Sequence, residues 1–323
     1  MRFRRFAIAA TLALFGVTAP ALGQEFPSRS VRLVVAFPAG GPTDFVARLL
    51  ADRLKSILGQ SVLVENKSGA NAAIGADFVA KSDPDGYTLF FTTMSAMVLN
   101  PHLRADLPYQ PVRDFSPVTR VVVTREVLVV NAKSPIKTAR DLVELAKQKE
   151  GGLPMASTGV GSLPHLALEV FQQATGIKVV HVPYRGAAPA VTDILGEQVV
   201  GCFLDLPVVM PQIASGNLRP LGLASAKRDD VLPDLPTLDE QGYRDVYADN
   251  WYGVFAPSRT PSSVIAKLNS AFTAALTDPE VARKLSAAGA VPAPTTPEEL
   301  ADILKSELDR WGKIIHDRGI KTN

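Results

Sequence analysis

The chain has 323 residues, 46% of them hydrophobic and 20% charged, with 23 Gly and 25 Pro. This composition excludes a disordered or collagen-like chain, and at roughly 150 residues per domain the length fits two lobes that each bury a core. The formal charge is +2, but Arg2, Arg4 and Arg5 place +3 in the first 23 residues, where no acid stands, which leaves −1 on the remainder. A nucleic-acid-binding body would be visibly basic, so no nucleic-acid partner is expected.

The three arginines precede an apolar run from Phe6 to Val17 and then Ala19-Pro20-Ala21-Leu22-Gly23, small residues at the spacing signal peptidases require. Residues 1–23 therefore read as a cleavable secretory signal, cut after Ala21 or Gly23; the apolar run is too short for a bilayer span of about 20 residues. No later segment has such an apolar run, so a soluble, exported chain is expected. Its single Cys202 sits in an apolar, strand-like stretch and reads as a buried structural thiol.

From Val31 onward, short β-branched runs alternate with amphipathic stretches, a pattern that predicts α/β layers with largely parallel sheets. Val31 to Phe37 reads as a strand, Pro38 to Asp44 as a tight loop, and Phe45 to Leu58 as a helix stopped by Gly59. A strand at Ser61 to Asn66, a short helix at Asn71 to Lys81 and a strand at Tyr87 to Thr93 follow. Further strands are expected at 127–131, 153–157, 179–184, 199–205, 218–224 and 251–257. Helices are expected at 138–149, 162–174, 189–195, 208–215, 262–276 and 297–315; Thr138 with Asp141 resembles a capping box. The Pro-containing stretch from Asn100 to Val123 reads as a passage between lobes, and a return crossing is placed near 247–251. Lobe 1 is then discontinuous, 24–123 and 250–323, and lobe 2 is 124–249, with a cleft between them of the kind small ligands prefer.

Five loops leave the C-terminal ends of these strands: 38–44, 92–100, 157–165, 183–189 and 205–207. Ligands of open α/β sheets bind at that end. Gly40-Gly41-Pro42-Thr43 and Ser157-Thr158-Gly159-Val160-Gly161-Ser162 run into helix N-termini and combine small residues with hydroxyls and unpaired N–H groups, which suits an anion. No Gly-Lys-Ser/Thr and no complete dinucleotide fingerprint occurs, so phosphate-ester cofactors are not expected and no cofactor is assigned. His102, His165, His181 and His316 lack metal-ligand spacing. His181 alternates with valines in a strand and reads as structural. His165, one turn into the helix after the second loop, suits capping, packing or ligand contact. Asp205 ends an apolar strand and could accept from a ligand amine or hydroxyl, or cap the next helix. With no assembled acid, base, nucleophile or metal set, a binding protein is favoured over an enzyme.

Phe37-Pro38-Ala39-Gly40-Gly41-Pro42-Thr43-Asp44, Val64-Glu65-Asn66-Lys67, Pro84-Asp85-Gly86-Tyr87-Thr88-Leu89, Asn100-Pro101, Ser157 to Ser162, His181-Val182-Pro183-Tyr184-Arg185-Gly186 and Leu232-Pro233-Asp234-Leu235-Pro236-Thr237 occur in this order. The set resembles the solute-binding receptors of tripartite tricarboxylate transporters, the Bug-type family, over nearly the whole chain. The resemblance implies the type II periplasmic binding fold, two α/β lobes that close on a small carboxylated solute and deliver it to membrane permease subunits, as a monomer. It carries ligand contacts over to Ala39, Gly40, Gly41, Thr43 and Asp44 in the first loop. In the second it implies Ser157, Thr158, Gly159, Gly161 and Ser162, with His165 and Asp205 as further contributors. Met94, Ser95 and Met97 occupy another cleft-facing loop and could set ligand size. Ser68, Asn71 and Ala72 depart from the Pro and Gly common in the family at that place, which bears on the local loop shape. The solute class stays open between an aliphatic carboxylate, an aromatic acid and an amino acid. A sensory module on the same fold, or a hydrolase using Ser162 and His165, are the competing classes.

Overall fold

Alternating β-branched and aromatic residues form strands that assort into two sheets in the computed structural model, which describes residues 26–317, 319 and 320. The segment read as a signal, residues 1–23, lies outside them. The first sheet opens with β1 (Val31–Val35), α1 (Pro42–Leu58), β2 (Val62–Asn66), α2 (Ala73–Ala80) and β3 (Thr88–Thr93). A π-helical turn, Ser95–Leu99, leads into α3 (Asn100–Leu103), α4 (Pro111–Asp114) and the strand β4 (Phe115–Thr124). Through Arg125 alone the chain then enters the second sheet. There it forms β5 (Glu126–Asn131), α5 (Ala139–Gln148), β6 (Leu153–Ser157), α6 (Leu163–Thr175) and β7 (Val179–Pro183). Next come α7 (Ala187–Leu195), β8 (Gly201–Asp205), α8 (Leu206–Ala214) and β9 (Leu218–Leu223). The chain returns through β10 (Asn250–Pro257) and finishes with α9 (Ser262–Leu276), α10 (Pro279–Ala287), β11 (Ala290–Pro292) and α11 (Pro297–Asp317).

The strand orders are β11-β4-β10-β3-β1-β2 and β7-β6-β8-β5-β9. Both sheets are mixed, which corrects the expectation of largely parallel pairing. β1 runs parallel to β2 and β3, and β6 to β7 and β8, while β10, β4 and β11 pair antiparallel, as do β8, β5 and β9. The cause is the double crossing: β4 leaves the first sheet and β10 re-enters it alongside, so the two legs necessarily run in opposite directions.

The stretch 100–123, expected as a passage, contains two short helices and the inner strand β4. Pro117 disguised it, since a proline inside a run argues against a strand; here Pro117 pairs with Phe255 beside a register shift, where a missing N–H is tolerated. The loop expected at 92–100 is instead the end of β3 and the π-helical turn. Helix α10, capped by Asp278 accepting from the N–H groups of Glu280 and Val281, and strand β11 were not expected. The capping box of Thr138 and Asp141 is present in both directions, at 3.1 and 2.9 Å.

Period-two alternation divides the buried residues among three cores. On β10, Tyr252, Val254 and Ala256 pack with α1 and α9, whereas Trp251 and Phe255 face a core shared by the two sheets. On β5, Leu128 and Val130 join that shared core, and Val127 and Val129 face α7 and α8. Strands buried on both faces read as continuous apolar runs, and each large side chain so buried contributes about 1.5–3 kcal/mol. Cys202 is fully buried, as expected. Among the described residues, no helix is long and apolar enough to cross a membrane.

Candidate functional site

The loop from Phe37 to Gly41 turns β1 into α1. Gly40 adopts φ +78, a left-handed conformation costly for any residue with a Cβ, and Gly41 with Pro42 opens the helix. Asp44, one turn in, points back to brace this loop. Its Oδ2 accepts from the Gly40 N–H (2.9 Å) and Arg48 Nε (2.8 Å), and its Oδ1 from Asn66 Nδ2 (2.9 Å); Asn66 Nδ2 also holds the Phe37 carbonyl (3.0 Å). Burial opposes the charge on Asp44, but bonds from Arg48, Gly40 and Asn66 together outweigh it and hold the carboxyl below its usual range.

The second loop, between β6 and α6, is braced differently. Ser157 Oγ lies 2.6 Å from His181 Nε2 and accepts from the Gly159 N–H at 3.2 Å, while Ser162 Oγ donates to the Gly159 carbonyl at 2.7 Å. The Gly161 N–H donates to His165 Nδ1 at 3.2 Å, so that nitrogen must be unprotonated. The His165 and His181 rings stack, 4.0 Å between centroids and 8° between planes. Burial, and then the neighbouring His181, lower His165 from 6.5 to about 4; burial also lowers His181. Ser162 engages the loop's own carbonyl rather than the His165 ring, so these two residues form no nucleophile–base pair.

Where the chain crosses between sheets, Asp205 at the end of β8 is held from the first sheet. It accepts from Thr124 Oγ1 (2.8 Å), from Asn250 Nδ2 at both oxygens (3.1 Å each) and from the Tyr252 hydroxyl (2.7 Å). It makes no side-chain cap on α8, which corrects one of its two expected roles. Burial, then the charge of Asp205, raise the Tyr252 phenol well above its usual value and keep it a donor. Beside Asp205 lies Glu126, the first residue of β5, 1% exposed, whose two carboxyl oxygens receive no hydrogen bond. Burial and then the charge of Asp205 push its carboxyl well up. Among the described residues, no cluster suits a metal ion.

These pieces enclose a cavity of about 250 Å³ between the sheets. From the first sheet it is lined by the loop 37–43, Asn71, Thr93, Ser95 and Asn250; from the second by Glu126, Thr158, residues 162–164 and 185–189, Leu204, Asp205 and Val208. Of the residues expected from sequence, Ala39, Gly40, Gly41, Thr43, Ser95, Thr158, Ser162 and Asp205 line it. Asp44, Met94, Ser157, Gly159, Gly161 and His165 do not. Asp44, Ser157 and His165 stand behind the loops as braces, and Gly159 and Gly161 supply the backbone those braces hold. Met94 is fully buried in the core together with Met97.

Glu126, Asn71 and Asn250 escaped the sequence reading as site residues. Glu126 left a signal, a lone acid heading an apolar strand. Asn71 left only the departure noted above. The structure gives that departure a form: Ala70, Asn71 and Ala72 all take positive φ (48, 49 and 73), and the Asn71 side chain donates to Asn100 Oδ1 (2.9 Å) and, across the cleft, to the Gly161 carbonyl (3.1 Å).

The family model described as "Tripartite tricarboxylate transporter family receptor" matches residues 46–320. Protein BugT of Bordetella pertussis is 37% identical over 311 residues, covering 96% of this chain and 95% of its own. A solved structure of a periplasmic transporter is 42% identical with TM-score 0.88 over 92% of this chain and 99% of its own. R. palustris Rpa4515 with adipate is 34% identical with TM-score 0.89, over 92% and 99%. Structures this alike share the type II periplasmic binding architecture, and the proteins so matched are solute receptors rather than enzymes. The chain belongs to the tripartite tricarboxylate transporter receptor family.

Proposed function

We propose that this chain is a periplasmic receptor that captures a small organic carboxylate between its two sheets and presents it to the permease subunits of a tripartite transporter. In this reading residues 1–23 are a signal peptide, 24–123 with 250–323 form lobe 1, 124–249 form lobe 2, and the receptor acts as a monomer. The observation that carries it is the convergence on one cavity of two small-residue loops, each opening a helix, one from each sheet. Backbone N–H groups at such termini favour an anion, and contacts from both lobes favour the closed state. The cavity lies below the roughly 300–1,000 Å³ of drug-sized sites, which suits a solute of a few carbons. A dicarboxylate in the related Rpa4515 is in keeping with this.

Calorimetric titration of the mature protein with aliphatic, aromatic and amino-acid carboxylates tests the reading. Saturable binding of one class is expected, and no binding by any would overturn it. In Gly41→Val the new Cβ would meet the Pro38 carbonyl at 3.3 Å and its methyls would add bulk at the cavity wall. At least tenfold weaker binding is expected, and unchanged affinity would remove the first loop from the site.

A further inference from the structure

Glu126 and Asp205 are neighbouring carboxyls on the cavity wall, but their hydrogen bonding is opposite. The acceptors of Asp205 are occupied by Thr124, Asn250 and Tyr252. Those of Glu126 receive nothing, although the residue is almost fully buried. A buried carboxylate without donors costs free energy, so Glu126 stays protonated and can share that proton with the neighbouring Asp205, which leaves the Glu126 carbonyl oxygen without a donor. The nearest cation in sequence, Arg125, is directed elsewhere: Nη1 pairs with Asp249 at 2.9 Å and Nε approaches Asp229 at 3.9 Å. Neither Glu126 nor Asp205 forms an ion pair with any described residue. Arg185, exposed at another part of the same lining, likewise pairs with no described acid.

The cavity therefore has one wall that lacks a cationic donor and another that offers a guanidinium and helix N-termini. We propose that the solute carries a protonated amine together with its carboxylate, and that Glu126, backed by Asp205, is the residue that selects the amine. This rests on the carboxylate-receptor reading and narrows it to amino acids and their longer-chain analogues. An ammonium supplies the missing donor and its charge lets Glu126 give up its proton, whereas a plain diacid would bring another anion toward a site that already holds Asp205.

The test is calorimetry on the mature protein with matched pairs. The amine-bearing set comprises the standard L-amino acids, 4-aminobutanoate and 6-aminohexanoate, each compared with the same skeleton lacking the amine. The tightest amine-bearing compound should bind at least tenfold better than its amine-free counterpart. Glu126→Gln, which keeps the shape and removes the ability to become a carboxylate beside the ammonium, should weaken the former at least tenfold and the latter less than threefold. Two results would each overturn the inference while leaving a carboxylate receptor standing: tightest binding by an amine-free acid, or equal losses for both partners in Glu126→Gln. Absence of binding by either set would overturn the receptor reading as well. The wild-type comparison decides even where the variant folds poorly.

Discussion

The two loops that meet at the cavity look interchangeable in sequence, small residues opening a helix, yet they are held in shape by different chemistry. The first is held by a charge: one carboxylate, Asp44, gathers Gly40, Arg48 and Asn66. The second is held by neutral groups: Ser157, Ser162 and the stacked His165 and His181. A charged brace keeps its strength while the carboxyl stays ionised, whereas an imidazole that accepts from a backbone N–H loses that bond on protonation. Two similar-looking anion loops should therefore fail at different pH and respond to different substitutions.

The largest effect is expected at Asp44. Asp44→Ala removes a buried carboxylate that collects three hydrogen bonds, from the Gly40 N–H, Arg48 and the half-buried Asn66 amide, and should cost about 3 kcal/mol, because hydrogen bonds to charged groups are worth about 1.5–3 kcal/mol each and water regains part of the loss. Urea unfolding measures this, and a loss below about 1 kcal/mol would show that water replaces the brace. Next comes acid. His165 and His181 are both harder to protonate in the fold than in the unfolded chain, and for His165 the unfolded state holds the extra proton between 6.5 and about 4. The His165 contribution to stability is complete above 6.5 and is lost as pH falls toward 4, by about 2–3 kcal/mol, and His181 acts in the same direction. Glu126 has the opposite sign. Its raised carboxyl makes the folded state the better proton holder above the ordinary value of 4.5, so its contribution is lost as pH rises. The imidazole slope is therefore best read in Glu126→Gln. Adding His165→Phe to that variant keeps a ring in the stack and should flatten most of the slope; an unchanged slope would place the acid sensitivity elsewhere.

How much of this was legible beforehand follows from where the information resides. Most of the strands and helices and the loops around Gly40 and Ser162 can be read because periodicity, caps and glycines are local signals. Thr138 and Asp141 sit three residues apart, and the box they form was visible for that reason. Sequence does not separate the bracing seen at Asp44 and His165 from ligand contact, because a loop-facing polar residue looks the same in either role; their partners Asn66 and His181 lie 22 and 16 residues away. Asp205 was seen as an acceptor, but its donors come from β4 and β10, 45 and more residues distant. The antiparallel pairings were hidden for the same reason, and β4 was hidden by one proline.

Asn71 connects the two loops, since it stands on the first-sheet side and donates to Gly161 in the second loop. Asn71→Gly retains the left-handed backbone and deletes the side chain, so it removes that bond together with the one to Asn100, which lies on the same side of the cleft. A loss of about 1 kcal/mol is expected, and if the bond forms only on closure the solute should bind about fivefold more weakly. A stability loss with unchanged affinity would mean the contact persists in the open state.

The smallest effect is expected at Ser162, which separates bracing from contact most finely. Its hydroxyl donates to the Gly159 carbonyl at 2.7 Å and accepts from the His165 N–H at a long 3.4 Å, so it is engaged within the loop although the residue lines the cavity. Ser162→Ala removes an N-cap and should cost about 0.5–1 kcal/mol, read as a shift of the thermal midpoint. With the backbone still held by Gly161 and His165, affinity should fall less than threefold. A fall beyond tenfold would mean that this hydroxyl turns to the solute on closure, and that the second loop, unlike the first, exchanges one of its own braces for the ligand.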